Sequence, residues 1–305
     1  MSVTGTHAPY GVEIGTTKLM ATHALDWGTQ MRSEALSDEP YARLISVVGE
    51  RPTGRITTLN VAAALTKVPT LGLDIASNAV NFWFQKRVDG TTRATGDNHT
   101  KVGCTKGMIA PMTLRCEYGG DAVIEYFVLP RSTDGAAHPF TPETGQALPD
   151  GFTDGERFTL PPADSIDVGD KALNHVRGIE IDFGLQLAVE GADNEVCDTM
   201  VWLVNVAPVI TLRGVDPGWI AEAKVPVSGG LACTHADTNI YLQKRADQGT
   251  LVAAGTEGHI KFTACGLAVP ETYGGETSIR IRCKYDGSTD PVDAPLTVDA
   301  GSEIT

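Results

Sequence analysis

The sequence predicts a mainly β protein built from two tandem, duplicated β-sandwich or barrel domains, each with one short helix. Three observations predict this. A long segment occurs twice. Apolar and polar residues alternate at period two in several stretches, as in half-buried antiparallel strands. Turn-forming residues are abundant, with 33 Gly and 17 Pro in 305 residues.

The repeat is clearest where NFWFQKRVDGTTRATGDNHTKVGCTKGMIAP begins at Asn81 and NIYLQKRADQGTLVAAGTEGHIKFTACGLAVP begins at Asn239. Gln85, Lys86 and Arg87 answer Gln243, Lys244 and Arg245, and His99-Thr100-Lys101 answers His259-Ile260-Lys261. Shorter matches in the same order align Gly11–Ile14 with Gly178–Ile181 and Gly49–Ile56 with Gly214–Ile220. Tyr118-Gly119-Gly120 aligns with Tyr273-Gly274-Gly275, and Ser132-Thr133-Asp134 with Ser288-Thr289-Asp290. The unit is domain-sized, near 160 residues, rather than a solenoid repeat. The expected organisation is a first β domain over 1–130, a Pro/Gly-rich acidic connector over 131–176, a second β domain over 177–290, and a tail or arm over 291–305.

Each element has its own signal. Residues 29–44 leave room for a short helix that Pro40 limits. Asn60–Lys67 (NVAAALTK) reads as a helix or as a strand continuing from Arg55, and Trp219–Lys224 is its counterpart. Phe82-Trp83-Phe84 and Ile240-Tyr241-Leu242 read as strands, with hairpin turns at Asp89-Gly90 and Gln248-Gly249. Asp121–Leu129 is apolar on both faces except at Glu125, which predicts a strand covered on both sides. Ile179 to Leu187 and Ile279 to Tyr285 each alternate as one strand. Five prolines between Pro139 and Pro162 mark the connector as extended and laid over a surface.

Composition narrows the function. The apolar fraction of 42% supports a core in each half. The N-terminal MSVTGTHAPYG has neither a basic start nor an apolar stretch, so no secretory signal is expected. The longest apolar region, Met200–Leu212, is too short to span a bilayer. The six cysteines form no CxxC and are not placed equivalently in the halves, which predicts reduced, buried thiols. The net charge of −14 is uneven: residues 1–130 are neutral, while 131–176 carry −5 and 177–305 carry −9. Such a chain repels nucleic-acid phosphate, which suits a solubilising surface or a conduit along which DNA slides without sticking.

No catalytic constellation is visible: HExxH, Walker, GxGxxG and GxSxG patterns are missing. Cys233-Thr234-His235 lacks a second ligand pair for zinc, and Asp164, Asp167 and Asp170 lack the glycine of an EF-hand loop. No enzyme activity, cofactor or metal is expected. His99 and His259 read as hairpin residues bonded to a turn. The repeated Gln-Lys-Arg reads either as a strand end entering solvent or as a subunit contact, so Gln85, Lys86, Arg87, Gln243, Lys244 and Arg245 are the candidate interface residues.

On the duplication, the β content, the acidity and the lack of a catalytic motif, the chain resembles the tail tube proteins of long-tailed bacteriophages. That resemblance implies a virion subunit assembled in the host cytoplasm. Two fused tube domains would form homotrimeric, pseudo-sixfold rings that stack into a channel for DNA. It also implies contacts with other tail or virion proteins and none with a membrane. The alternatives are a capsid decoration or other head or tail β protein, and a tandem carbohydrate-binding module, for which Trp27, Trp83, Trp202 and Trp219 are the candidate platforms.

Overall fold

The computed structural model describes residues 6–34, 44–89, 91–152, 154–173, 175–221, 225–226, 228–246, 250–272, 276–285 and 294–304. Strands hold 55% of residues and helices 5%, in several antiparallel sheets, none of which closes into a barrel. Among the described residues no helix is long and apolar enough to cross a membrane.

The first half runs through β1 (His7–Ile14), β2 (Thr17–Leu19), β3 (Ala21–Asp26), β4 (Thr29–Glu34), β5 (Leu44–Glu50), β6 (Thr53–Thr58) and helix α1 (Val61–Lys67). It continues with β7 (Leu73–Asp74), β8 (Val80–Lys86), β9 (His99–Cys104), β10 (Gly107–Glu117), β11 (Val123–Pro130) and β12 (Phe140–Gln146). Then come β13 (Arg157–Thr159), β14 (Ile166–Asp167), β15 (Ala172–Leu173), β16 (Gly178–Asp182), β17 (Leu185–Glu190), β18 (Met200–Val206), β19 (Val209–Arg213) and helix α2 (Pro217–Ala221). The chain ends with β20 (Leu231–Cys233), β21 (Asn239–Arg245), β22 (His259–Ala264), β23 (Gly266–Thr272), β24 (Ser278–Cys283) and β25 (Leu296–Ser302).

A ten-stranded sheet runs through both halves in the order β20-β23-β24-β19-β16-β10-β11-β6-β3, with β7 added to β10. Against it pack two smaller sheets, β12-β9-β8-β1-β2 and β15-β14-β21-β22-β25, the latter with β13 on β21. The layers are sandwich-like because one face of each large-sheet strand is apolar. Ile124, Tyr126 and Val128 of β11 are buried, while Val123, Glu125, Phe127 and Leu129 between them are only half-buried. One core cluster, including Phe82, Tyr126, Ile181, Leu212 and Phe262, spans both halves.

Pairings in the first half recur in the second. Strands β3-β6-β11-β10 pair in the same sequence as β16-β19-β24-β23, and β8-β9-β12 as β21-β22-β25. The match reaches single residues. The N–H of Gly28 bonds the Asp26 carboxylate and that of Gly184 bonds the Asp182 carboxylate, each at 2.9 Å. Both glycines are left-handed (φ +62° and +60°), and a Cβ on either would lie 2.0 Å from a carbonyl oxygen, that of Arg51 or Ala207. Hairpin β4–β5 slips register between Gln30 and Met31, as β17–β18 does between Gln186 and Leu187. A bulge follows Pro111 in β10 and Pro270 in β23.

Several expectations change. GIEI at Gly178–Ile181 is the counterpart of β3, not of GVEI at Gly11–Ile14, because β3 and β16 each precede the Asp-aromatic-Gly reversal. Likewise Thr53–Thr58 matches Val209–Arg213, so GERPTGRI and GVDPGWI are not equivalent. Residues 29–34 and 44–50 form a hairpin rather than a helix, with 35–43 outside the described residues. Ile179 to Leu187 is two strands, since Gly184 turns the chain out of the sheet. The strand over Asp121–Leu129 is fully covered on one face only. Residues 131–176 are more than a connector: β12 joins the first small sheet, and β13 to β15 join the second. The C-terminal stretch is not a detached arm either; β25 pairs with β22, and Ile304 is buried with its N–H on the Ala254 carbonyl. Turn Gln248-Gly249 and the Tyr273 and Ser288 motifs lie outside the described residues.

Cys104, Cys116, Cys197, Cys233 and Cys283 are free thiols. Burial pushes the thiols of Cys104, Cys116 and Cys283 up to about 12, which keeps them protonated and inert.

Candidate assembly interface

The two halves meet where β10 pairs with β16, from Thr113 opposite Asp182 to Glu117 opposite Gly178. The N–H of Phe183 extends this ladder to the Met112 carbonyl (3.0 Å), and that of Tyr118 reaches the Arg177 carbonyl (2.8 Å). On the solvent face Arg115 Nε donates to Glu180 Oε1 at 3.2 Å. Arg213 reaches across to Glu117 Oε1 (3.2 Å) and to Glu180. These groups are partly exposed, so each pair contributes little alone. Their contribution is register: opposite charges face one another only when β10 and β16 are aligned as observed.

The candidate Gln-Lys-Arg residues divide by half. In the second, Gln243 is buried and its amide donates to the Val252 carbonyl (2.8 Å). Lys244 pairs with Glu156, and Arg245 Nε lies 2.9 Å from Asp121 Oδ1. Residues 243–245 also pair in register with β13. They therefore contact the 154–159 segment and the β10–β11 turn within their own chain. In the first half Gln85, Lys86 and Arg87 are half-buried, and the Arg87 N–H bonds the Thr6 carbonyl at 2.8 Å.

The histidines linked to these residues hold the strand ends. His99 Nδ1 accepts the Lys86 N–H (3.0 Å), and His259 Nδ1 accepts the Lys244 N–H (2.9 Å). His259 Nε2 faces the Ala253 carbonyl at 3.0 Å. An Nδ1 that accepts must be unprotonated, so each ring is neutral with its proton on Nε2.

Two hairpins leave the large sheet at the same end. β4–β5 exposes Met31, Leu44, Ile45, Val47 and Val48, and β17–β18 exposes Met200, Trp202 and Val204. The turn of β17–β18 lies against the first half: the N–H of Glu50 bonds the Val196 carbonyl (2.7 Å), and the N–H groups of Val196 and Cys197 bond the Gly135 carbonyl (2.9 Å each). At 42% exposure Trp202 is not the core residue its apolar surroundings suggest, whereas Trp83 and Trp219 are buried. Trp27 is 43% exposed, while its counterpart Phe183, at the internal junction, is 1% exposed.

Sequence reasoning missed the junction residues Asp121, Glu180 and Arg213. Glu180 is visible only as a polar position of an alternating strand, and which strands Glu180 and Arg213 face depends on long-range pairing. No protein-family model and no curated protein matches this chain. Function is therefore read from the geometry.

Proposed function

We propose that this chain is a structural building block that assembles into rings, in the manner of a bacteriophage tail tube subunit with two fused tube domains. The observation that carries this reading is the large sheet. Two four-stranded units, β3-β6-β11-β10 and β16-β19-β24-β23, stand side by side in one continuous sheet whose ends are open. A third unit added in the same direction continues the sheet, and a fixed rotation per unit closes it into a ring. Three copies supply six units around the axis. Closure also removes the strand edges that would otherwise promote uncontrolled pairing.

The recurring pairings support descent of both halves from one duplicated unit. In this reading the solvent face of the large sheet lines the channel. That face carries Arg55, Arg115, Arg213, Arg280 and Arg282 alongside Glu117, Glu125, Glu180, Asp182 and Glu271, so it is balanced rather than acidic, and the expectation that an acidic channel lets DNA slide gains no support from it. The two apolar hairpins, exposed at one end, suit contact with the next ring or with other tail proteins. Gln85, Lys86 and Arg87 remain candidates for a subunit contact, since their counterparts already bind a neighbouring unit within the chain.

A capsid decoration protein predicts a closed trimer that does not polymerise. A carbohydrate-binding pair predicts matched aromatic platforms, but Trp27 and Trp202 are not equivalent positions and Trp83 and Trp219 are buried. Negative-stain microscopy of the concentrated protein tests the reading: rings or tubes are expected, and protein that stays monomeric overturns it.

A further inference from the structure

We propose that the seam between the two halves holds a binding site for a small planar apolar acid, an inference that goes beyond the ring reading and does not depend on it. A cleft of about 450 Å³ opens there, within the size range of small-molecule sites. Ile166 and Leu173 are buried and form its floor. Pro161 and Pro162 add rigid apolar lining, since each ring fixes φ. Tyr118 and Leu251 stand at the rim. Tyr118, at 80%, is the most exposed of the large apolar side chains among the described residues, so an aromatic face is left bare beside an apolar floor.

The cleft belongs to the second half alone. Ala8 pairs with Gln85 and Thr159 with Gln243, so Ala8 and Thr159 are matching positions. Glu13 opposite Asn81 and Asp167 opposite Asn239 match in the same way. Between the matched positions the first half has four residues, Pro9 to Val12, and the second has seven, Leu160 to Ile166. The longer segment is held in a turn: Asp164 is left-handed (φ +63°), and its N–H bonds the Leu173 carbonyl at 3.1 Å. In the first half the corresponding stretch is covered by the chain itself. Phe152 lies against Gly11 and meets Tyr10 with ring centroids 5.2 Å apart. A planar aromatic ring thus fills the first-half position, and the second-half cleft has room for one from outside.

The polar lining supplies the charge preference. Arg245 and His175 line the cleft and no carboxylate does, in a chain of net charge −14. Asp121 takes the Nε edge of Arg245, and the Thr159 hydroxyl takes one Nη2 contact. A guanidinium has five N–H donors, so Nη donors remain for an anion. His175 Nε2 accepts from Arg177 Nε at 3.3 Å, which puts the ring hydrogen on Nδ1 and makes that atom a second donor. An aromatic carboxylate satisfies both features, with its ring against Tyr118 and the prolines and its carboxylate on Arg245 and His175.

Saturation-transfer difference NMR with cinnamate tests the site, beside cinnamyl alcohol, which keeps the planar body and lacks the charge. Cinnamate should bind with millimolar affinity, as expected for so small a ligand, and the alcohol about tenfold more weakly. Tyr118→Ala, a change on an exposed residue, should abolish cinnamate binding. Arg245→Ala should bring cinnamate down to the level of the alcohol and leave the alcohol unchanged, a selectivity that lost stability does not mimic. Equal binding of the two probes to the wild type, or no cinnamate binding at about 10 mM, overturns the site. Binding that survives Tyr118→Ala but is lost in Trp202→Ser places the probe on the exposed hairpin and also overturns it. Should Arg245→Ala fail to fold, the wild-type preference for the acid and the Tyr118→Ala result decide.

Discussion

The Arg245 guanidinium lies 2.9 Å from the carboxylate of Asp121, joining a strand end of the second half to a turn of the first. Arg245 also reaches the Thr159 hydroxyl at 3.4 Å. The residue the repeat singles out as a subunit contact thus already contacts a neighbouring unit, one carried on the same chain.

Because that pair is internal, its loss should act on folding stability. Arg245→Ala and Asp121→Ala in a double-mutant cycle should give a coupling energy of about 0.5–1 kcal/mol, the modest value reflecting partial exposure. Urea unfolding measures it. Ring formation by folded Arg245→Ala should stay near wild type, whereas selective loss of assembly would place Arg245 at the contact between copies.

His259 is fully buried and bridges the Lys244 N–H and the Ala253 carbonyl. His259→Ala should destabilise the protein by about 2–3 kcal/mol through the cavity and the unpaired main-chain groups. Native-state hydrogen exchange should show the Lys244 amide losing protection. Unchanged exchange there would mean that the ring does not hold this strand end.

Burial lowers the pKa of His23 to about 4, and its Nε2 faces the Trp83 carbonyl at 3.0 Å. The unfolded chain takes up a proton near pH 6.5 and the folded one only near 4, so this stability is complete above pH 6.5. It falls as pH drops from 6.5 toward 4, by about 3 kcal/mol in all. Comparing wild type with His23→Phe at pH 7.5 and pH 4.5 isolates the effect. Equal pH dependence in the two proteins would show that His23 is not held neutral.

Tyr126 is wholly buried on the core face of β11, and its hydroxyl has no hydrogen-bond partner among the described residues. Removing an unsatisfied buried hydroxyl relieves its desolvation cost. Tyr126→Phe should be neutral or more stable by about 1 kcal/mol in thermal and urea unfolding. A clear loss of stability would reveal a partner for the hydroxyl.

The sequence shows most strands but not how they join. Alternation marks β16 and β24, because burial of one face is a local property of spacing; β11 shows only as an apolar run, and Asn60–Lys67 reads equally as a helix or a strand until the structure shows α1. Register across the halves is not local. The short matches Gly11–Ile14 with Gly178–Ile181 mispair the units, and only the reversals at Gly28 and Gly184 reveal the frame in which β3 answers β16. The glycine at position 184 lay inside an alternating run, where a left-handed turn leaves no periodic signal. Residues 131–176 read as a linker because prolines separate strands too short to show alternation. The Gln-Lys-Arg repeat was visible, but its pairing with Asp121 and Glu156 depends on segments far away in sequence.

The central claim is that the two-unit sheet is completed by other copies of this chain. Averaged electron-microscope views down the axis of the assembled particle test it most directly. Three copies should appear as six similar lobes around a central channel, with the large sheets innermost. A two-fold particle, a ring of another copy number, or large sheets facing outward would contradict it.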